Sequence, residues 1–194
     1  MENLSLNIDR ERLIEYANSQ QYFYSLDLSR ISSLLITQLH YIADNRILNV
    51  FQVTDEIKSL EKGIKMSASK KEDEFRHKPL KGLMKKHFFD ARYMSRNLAN
   101  QNKIGMDINS MEKYIDAEVA KGKSINEIAH EYTMVSYETR ASSSKLTGEW
   151  LVYSKYDSKN YYLTLATHDE GDEVIYDRIF AYCKNEYSFL PFFK

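Results

Sequence analysis

Two histidines and a cluster of cations stand together in FRHKPLKGLMKKHFFDARYMSRNL, residues 75 to 98. The stretch carries His77, Lys78, Lys81, Lys85, His87, Arg92 and Arg96. An imidazole titrating near neutrality can move a proton in either direction, a lysine can neutralise a phosphate, and an arginine can meet one through two parallel hydrogen bonds. From Lys58 to Arg96 twelve Lys or Arg stand against five Asp or Glu, a formal +7 that leaves −8 elsewhere in a chain whose total is −1. That asymmetry suits a localised anion site, or docking of a basic segment on an acidic face of the same molecule or of a second copy. The near-neutral total argues against a protein that coats nucleic acid or an anionic membrane by global charge.

The spacing after Pro79 predicts a helix, because Leu80, Leu83, Met84, His87, Phe88, Ala91, Met94 and Leu98 would share one face at 3.6 residues per turn. Lys81, Lys85, Arg92 and Arg96 would then form a cationic rim beside that stripe. Read without chemistry, the same pattern is a core helix whose lysine stems cover apolar neighbours. Upstream, Asp9 caps a predicted helix over 9–20, and Leu28, Ile31, Leu35, Leu39 and Ile42 predict a long amphipathic helix from Asp27 that runs to Asn49 or breaks near Asp44. Thr54 is a candidate cap for a short helix through Leu60, and KGIKMSASKKEDE reads as a connection. Downstream, Asp107–Ala120 repeats the amphipathic pattern and Ser124-Ile125-Asn126-Glu127 matches the capping box.

From Gly148 the texture is that of strands. Residues 150–156 and 161–167 are rich in aromatic and β-branched residues around a turn at Asp157-Ser158-Lys159-Asn160. Strict alternation would set Tyr161, Leu163, Leu165 and Thr167 on one face and Tyr162, Thr164 and Ala166 on the other. His168 follows, then a predicted helix from about Asp172 to Asn185 with Val174, Ile175, Ile179 and Tyr182 inward and Arg178 on its surface. The tail SFLPFFK is too apolar for a free end. The expectation is an α+β fold in a single domain, 1–194, with a mainly helical part over about 1–140 packed with a small antiparallel hairpin and C-terminal helix over about 145–194.

The single Cys183 rules out an internal disulfide framework and a cysteine zinc site, which points to a reducing compartment. The first residues carry no signal-peptide pattern and no run of eighteen apolar residues occurs, so a cytoplasmic protein without membrane attachment is expected. His168, Asp169 and Asp172 offer metal donors without a second histidine at ligand spacing, and no cofactor is expected.

GKSINEIAHEYTMVSYETR resembles the helix-turn-helix of transcription regulators, which would place a turn at Met134-Val135-Ser136 and a DNA-reading helix from Tyr137. The pattern G-x-W-x-V-Y, a turn with Lys159-Asn160 and Y-Y-L-T-L-A-T-H, together with the upstream KPLKG, resembles the RelE-type and barnase-like ribonuclease toxins. This resemblance implies metal-independent cleavage of RNA. His87 or His168 would be the general acid or base, Arg92 or Arg178 the anion stabiliser, and Tyr161 or Tyr162 a stacking or proton-donating residue. His77, Lys78, Lys81, Lys85, Arg96 and Arg178 would contact the substrate. The acidic remainder of the chain supports a different expectation, a non-catalytic immunity, antitoxin or regulatory protein with a cognate protein partner. RNA and a partner protein are thus the candidate ligands, and the oligomeric state is open.

Overall fold

The expected hairpin is built by its turn: Asp157 and Ser158 both take positive φ, at 49° and 58°, the twist that lets two residues join antiparallel strands. The computed structural model describes residues 9–63, 71–88, 94–105, 107–136, 138–139, 149–167 and 169–194, and of 94–97 the backbone alone. The fold is α+β. Its sheet has the order β1-β2-β3-β4, with β1 Asp73–Glu74, β2 Met84–His87, β3 Trp150–Tyr156 and β4 Lys159–Ala166, every strand pairing antiparallel.

The helices that position the sheet are α1 Arg10–Ser19, α2 Ser33–Asp44, α3 Val50–Lys62 and α7 Asp172–Cys183. Leu13 and Ala17 of α1, Leu35, Ile36 and Leu39 of α2, and Val53 and Ile57 of α3 pack with Phe88, Leu151, Tyr153, Tyr162 and Leu165 on one face. Ile175, Ile179 and Cys183 of α7, with Tyr187 and Leu190 of the tail, pack with Val152, Leu163 and Ala166 on the other. Both faces of the central strands are therefore buried. Asp9 caps α1 and α2 ends at Asp44, as expected, but the helix expected from Asp27 starts only at Ser33, after a 3-10 turn Leu28–Arg30 and an extended Ile31, and Asn49, not Thr54, caps α3. The expected inward set of α7 needs one change: Ile175 and Ile179 are buried but Val174 and Tyr182 are exposed, and Cys183 takes the inner position.

The expected basic helix after Pro79 is not formed. Residues 78–82 are a turn containing a cis Lys78–Pro79 bond, and Met84–His87 pair with Trp150–Tyr153 as a strand. The stripe that fits a helix also fits a turn plus a strand. Met84, Lys86 and Phe88 face the helices α1 to α3, while Lys85 and His87 alternate to the α7 face. In β4 strict alternation is broken as well. Tyr153 pairs with Tyr162 and Val152 with Thr164, so Leu163 is an extra residue in a bulge, and Leu165 moves to the face opposite Leu163.

The edge of β4 is closed by α2 and its cap. Ser32 donates from its backbone N to Tyr162 O at 2.9 Å and from its hydroxyl to Leu163 O at 2.6 Å, while Oγ accepts from Leu35 N and so caps the helix. Gln38 Oε1 accepts from Leu165 N at 2.9 Å. These bonds occupy groups that would otherwise be free to pair with another strand.

The chain divides into two compact units, one of residues 1–65, 72–88 and 149–194, the other of 66–71 and 89–148. The second lies in sequence between β2 and β3 and holds α4 Met94–Asn102, α5 Ile108–Ala120 and α6 Ile125–His130. Asp107 caps α5, and Ser124 and Glu127 form the complete capping box of α6. Lys123 ties α5 to the next helical turn through Glu118 at 2.7 Å and Glu131 at 2.5 Å. The resembled helix-turn-helix is not formed here: Glu131–Val135 continue α6 as a π-helical turn and Ser136 is helical, so the turn needed at 134–136 is missing.

Lys86 and Glu56 form a buried ion pair at 3.4 Å, each side chain 8% exposed. Removing one partner strands the other charge. Lys86→Ala should cost about 3–5 kcal/mol, whereas Lys86→Met combined with Glu56→Leu should recover most of that loss. Urea unfolding of the two variants checks it.

Candidate functional site

The approach segment to α2 places Arg30 against the beginning of β4. Asp27 caps the short 3-10 turn Leu28–Arg30, accepting from Ser29 N at 3.1 Å, and this fixes the backbone from which Arg30 reaches out. Arg30 Nε donates to Asp27 Oδ2 at 2.9 Å, Nη2 to Glu61 Oε2 at 2.5 Å, and Nη1 to Asn160 O at 3.2 Å. Tyr162 donates its hydroxyl to Glu61 Oε1 at 2.6 Å. Asp27, Arg30, Glu61 and Tyr162 line a cavity of about 230 Å³ together with Tyr24, Ile31, Ile57 and Lys62.

The electrostatics of this cluster suit binding and fixation. Hydrogen bonding to Glu61 raises the Arg30 pKa. Burial alone would raise Glu61, but the hydrogen bonds from Arg30 and Tyr162 override it and hold the carboxyl below its ordinary range. Burial and the bond to Glu61 raise Tyr162. Each group is moved away from neutrality, opposite to what general acid–base work at pH 7 requires. A related seam lies along the same sheet face, where Tyr153 donates to Glu72 and Lys155 pairs with Glu72 at 2.9 Å. Lys86 is shifted towards neutrality by its burial, but it lies beneath α3 against Glu56.

The expected catalytic residues separate. His87 is buried on the α7 face, its ring edge-on to Trp150 at 6.3 Å. Tyr162 is buried on the face of α1 to α3, its ring 5.6 Å from Tyr153. The sheet therefore stands between them. Arg92 and His168 lie outside the described residues, as does the side chain of Arg96. Arg178 braces α7 to β4, donating to Glu170 Oε1 at 2.5 Å and to Leu165 O at 2.9 Å. Lys85 is half-buried, its Nζ 4.6 Å from the ring centres of both Phe75 and Trp150.

The remaining expected contacts do share a place. His77, Lys78 and Lys81 are all exposed on the connection between β1 and β2, as is the neighbouring Arg76. Its frame is set by backbone bonds from Phe75 N to Leu83 O at 2.9 Å and from Gly82 N to Phe75 O at 3.2 Å, with Gly82 at φ 91°. Arg76 approaches Asp73 at 3.8 Å, while His77, Lys78 and Lys81 form no ion pair with a described residue.

Arg30 and Glu61 are not marked by sequence spacing, since a cation and a carboxylate 31 positions apart carry no periodic signal. Asp27 two positions before Ser29 is the readable part, as the N-cap of a turn. No protein-family model, curated protein or solved structure matches this chain. Among the described residues no helix is long and apolar enough to cross a membrane.

A pH prediction follows from Glu61. Its folded pKa lies below the ordinary 4.5, so its contribution to stability is complete above that value and is lost as pH falls through the folded pKa. Glu61→Gln should cost about 1–3 kcal/mol at pH 7, and the difference from the parent should shrink on acidification below 4.5. Thermal unfolding across that range measures it.

Proposed function

We propose that this chain is an RNA-directed binding protein whose contact surface is the basic connection between β1 and β2. The observation that carries the reading is the exposure of His77, Lys78 and Lys81 on one short, backbone-fixed turn, without carboxylate partners among the described residues. Arg10, Arg30, Lys86, Lys123 and Arg178, by contrast, are each engaged by Glu or Asp. A cation already bonded to a carboxylate must lose that bond to meet a phosphate, whereas the turn can meet one by releasing counterions alone. Binding is favoured over cleavage because His87 and Tyr162 face opposite sides of the sheet, so one scissile phosphate cannot meet both.

The inserted helical unit supports a second reading, a cognate protein partner, through the exposed apolar side chains of Ile108, Ile125 and Met134. A tagged chain that co-purifies with a stoichiometric second protein, and loses it on Ile125→Ser with Met134→Ser, would favour that reading.

For the RNA reading, Lys78→Glu with Lys81→Glu should weaken RNA binding at least about tenfold at low salt. If both lysines contact phosphates of a single strand, the slope of log K against log salt should fall by about 1.4. Fluorescence anisotropy over a salt series reads both effects; unchanged affinity and slope would remove the turn as the contact surface.

A further inference from the structure

The register of the sheet sets a second feature beside the basic turn. β2 starts at Met84 opposite Tyr153, and β3 continues from there to Tyr156, so the β1–β2 connection and the β3–β4 turn emerge at the same end of the sheet. At that end the tail returns and Phe189 packs 5.3 Å from Tyr156 and 5.2 Å from Tyr161, ring centre to ring centre. Phe189 and Tyr156 nevertheless stay 38% and 37% exposed. Phe189 and Tyr161 border an open cleft of about 520 Å³ whose rim carries Arg10, Arg30 and Lys159. Two of those cations are already neutralised, Arg10 by Glu186 and Arg30 by Asp27 and Glu61. Lys159 is exposed and forms no ion pair with a described residue, so among the described cations of this rim it is the one not held by a carboxylate.

Partly exposed aromatic rings beside the Lys159 amine, at the sheet end that also carries Lys78 and Lys81, match the two halves of a nucleotide. A base offers a flat face to a ring and its phosphate offers charge to a lysine. We propose that this end of the sheet binds single-stranded RNA, with unpaired bases stacking on Phe189 and Tyr156 and the backbone running from Lys159 towards Lys78 and Lys81. The inference rests on the RNA-binding reading and specifies its ligand. A duplex does not fit, because its base faces are already stacked on one another and leave nothing for the rings to meet.

The test compares fluorescence anisotropy of a labelled oligouridylate with that of an RNA duplex of equal length, using the full chain and the variants Phe189→Leu, Tyr156→Leu and Phe189→Trp, each checked for folding by circular dichroism. The oligouridylate should bind more tightly than the duplex. Each Leu variant keeps apolar bulk but loses the π-face, and should weaken oligouridylate binding by roughly fivefold to a hundredfold, with duplex binding unchanged and Phe189→Trp close to the parent. Equal affinity for the two RNAs overturns the stacking site while leaving RNA binding in place. So do Leu variants that bind oligouridylate like the parent while Lys78→Glu with Lys81→Glu does not. Failure of the folded parent to bind either RNA at low salt removes both readings.

Discussion

Burial of the β3–β4 hairpin on both faces is the constraint from which the rest of this structure follows. A strand covered on one side can alternate apolar and polar residues, but one covered on both must be apolar throughout or carry polar groups with partners. Leu151, Val152, Leu163 and Leu165 meet the first condition. Tyr153 and Tyr162 meet the second through Glu72 and Glu61, as does Lys86 of the neighbouring β2 through Glu56. Glu56 and Glu61 of α3 and Glu72 before β1 are thus required by the sheet.

The same constraint decides where chemistry can occur. A side chain in the middle of this sheet reaches solvent only through a covering layer, and those layers are dense: Ile31, Leu35, Leu39 and Ile57 on one side, Ile175, Ile179 and Cys183 on the other. Burial also pushes the Cys183 thiol up to about 12, which leaves it a small apolar filler and not a nucleophile at neutral pH. Surface available for a large ligand therefore concentrates at the ends of the strands, where connections leave the layers. Lys78, Lys81 and Lys159, which form no ion pair with a described residue, stand at one such end.

Much of the architecture was legible in the chain. The hairpin announced itself because aromatic and β-branched residues flank Asp157-Ser158, and the capping box at Ser124 and Glu127 formed as local chemistry demands. β2 was hidden for a specific reason. Its period-2 pattern is Met84, Lys86, Phe88 against Lys85, His87, and a buried lysine in the inner set makes the strand look like a basic helix edge. Only the partner Glu56, far upstream in sequence, makes that lysine an inner residue. The bulge at Leu163 was equally unreadable, because it depends on Val152 pairing with Thr164 and Tyr153 with Tyr162, a property of two strands and not of one.

The candidate site shows the same division between local and non-local information. Charge density singled out the segment around Lys78 and Lys81, and its exposure agrees with a contact surface. Proton-transfer roles required side chains from separate strands to converge, and that depends on facing. His87 pairs with Trp150 and Tyr162 with Tyr153, three positions apart along β3, so alternation alone sends them to opposite faces. Neither residue can be brought round without shifting a register that buries the entire strand. A ligand at the sheet end needs no such convergence: two turns emerge there and the tail returns to it, and their exposed cations and partly exposed rings set the chemistry of what they hold.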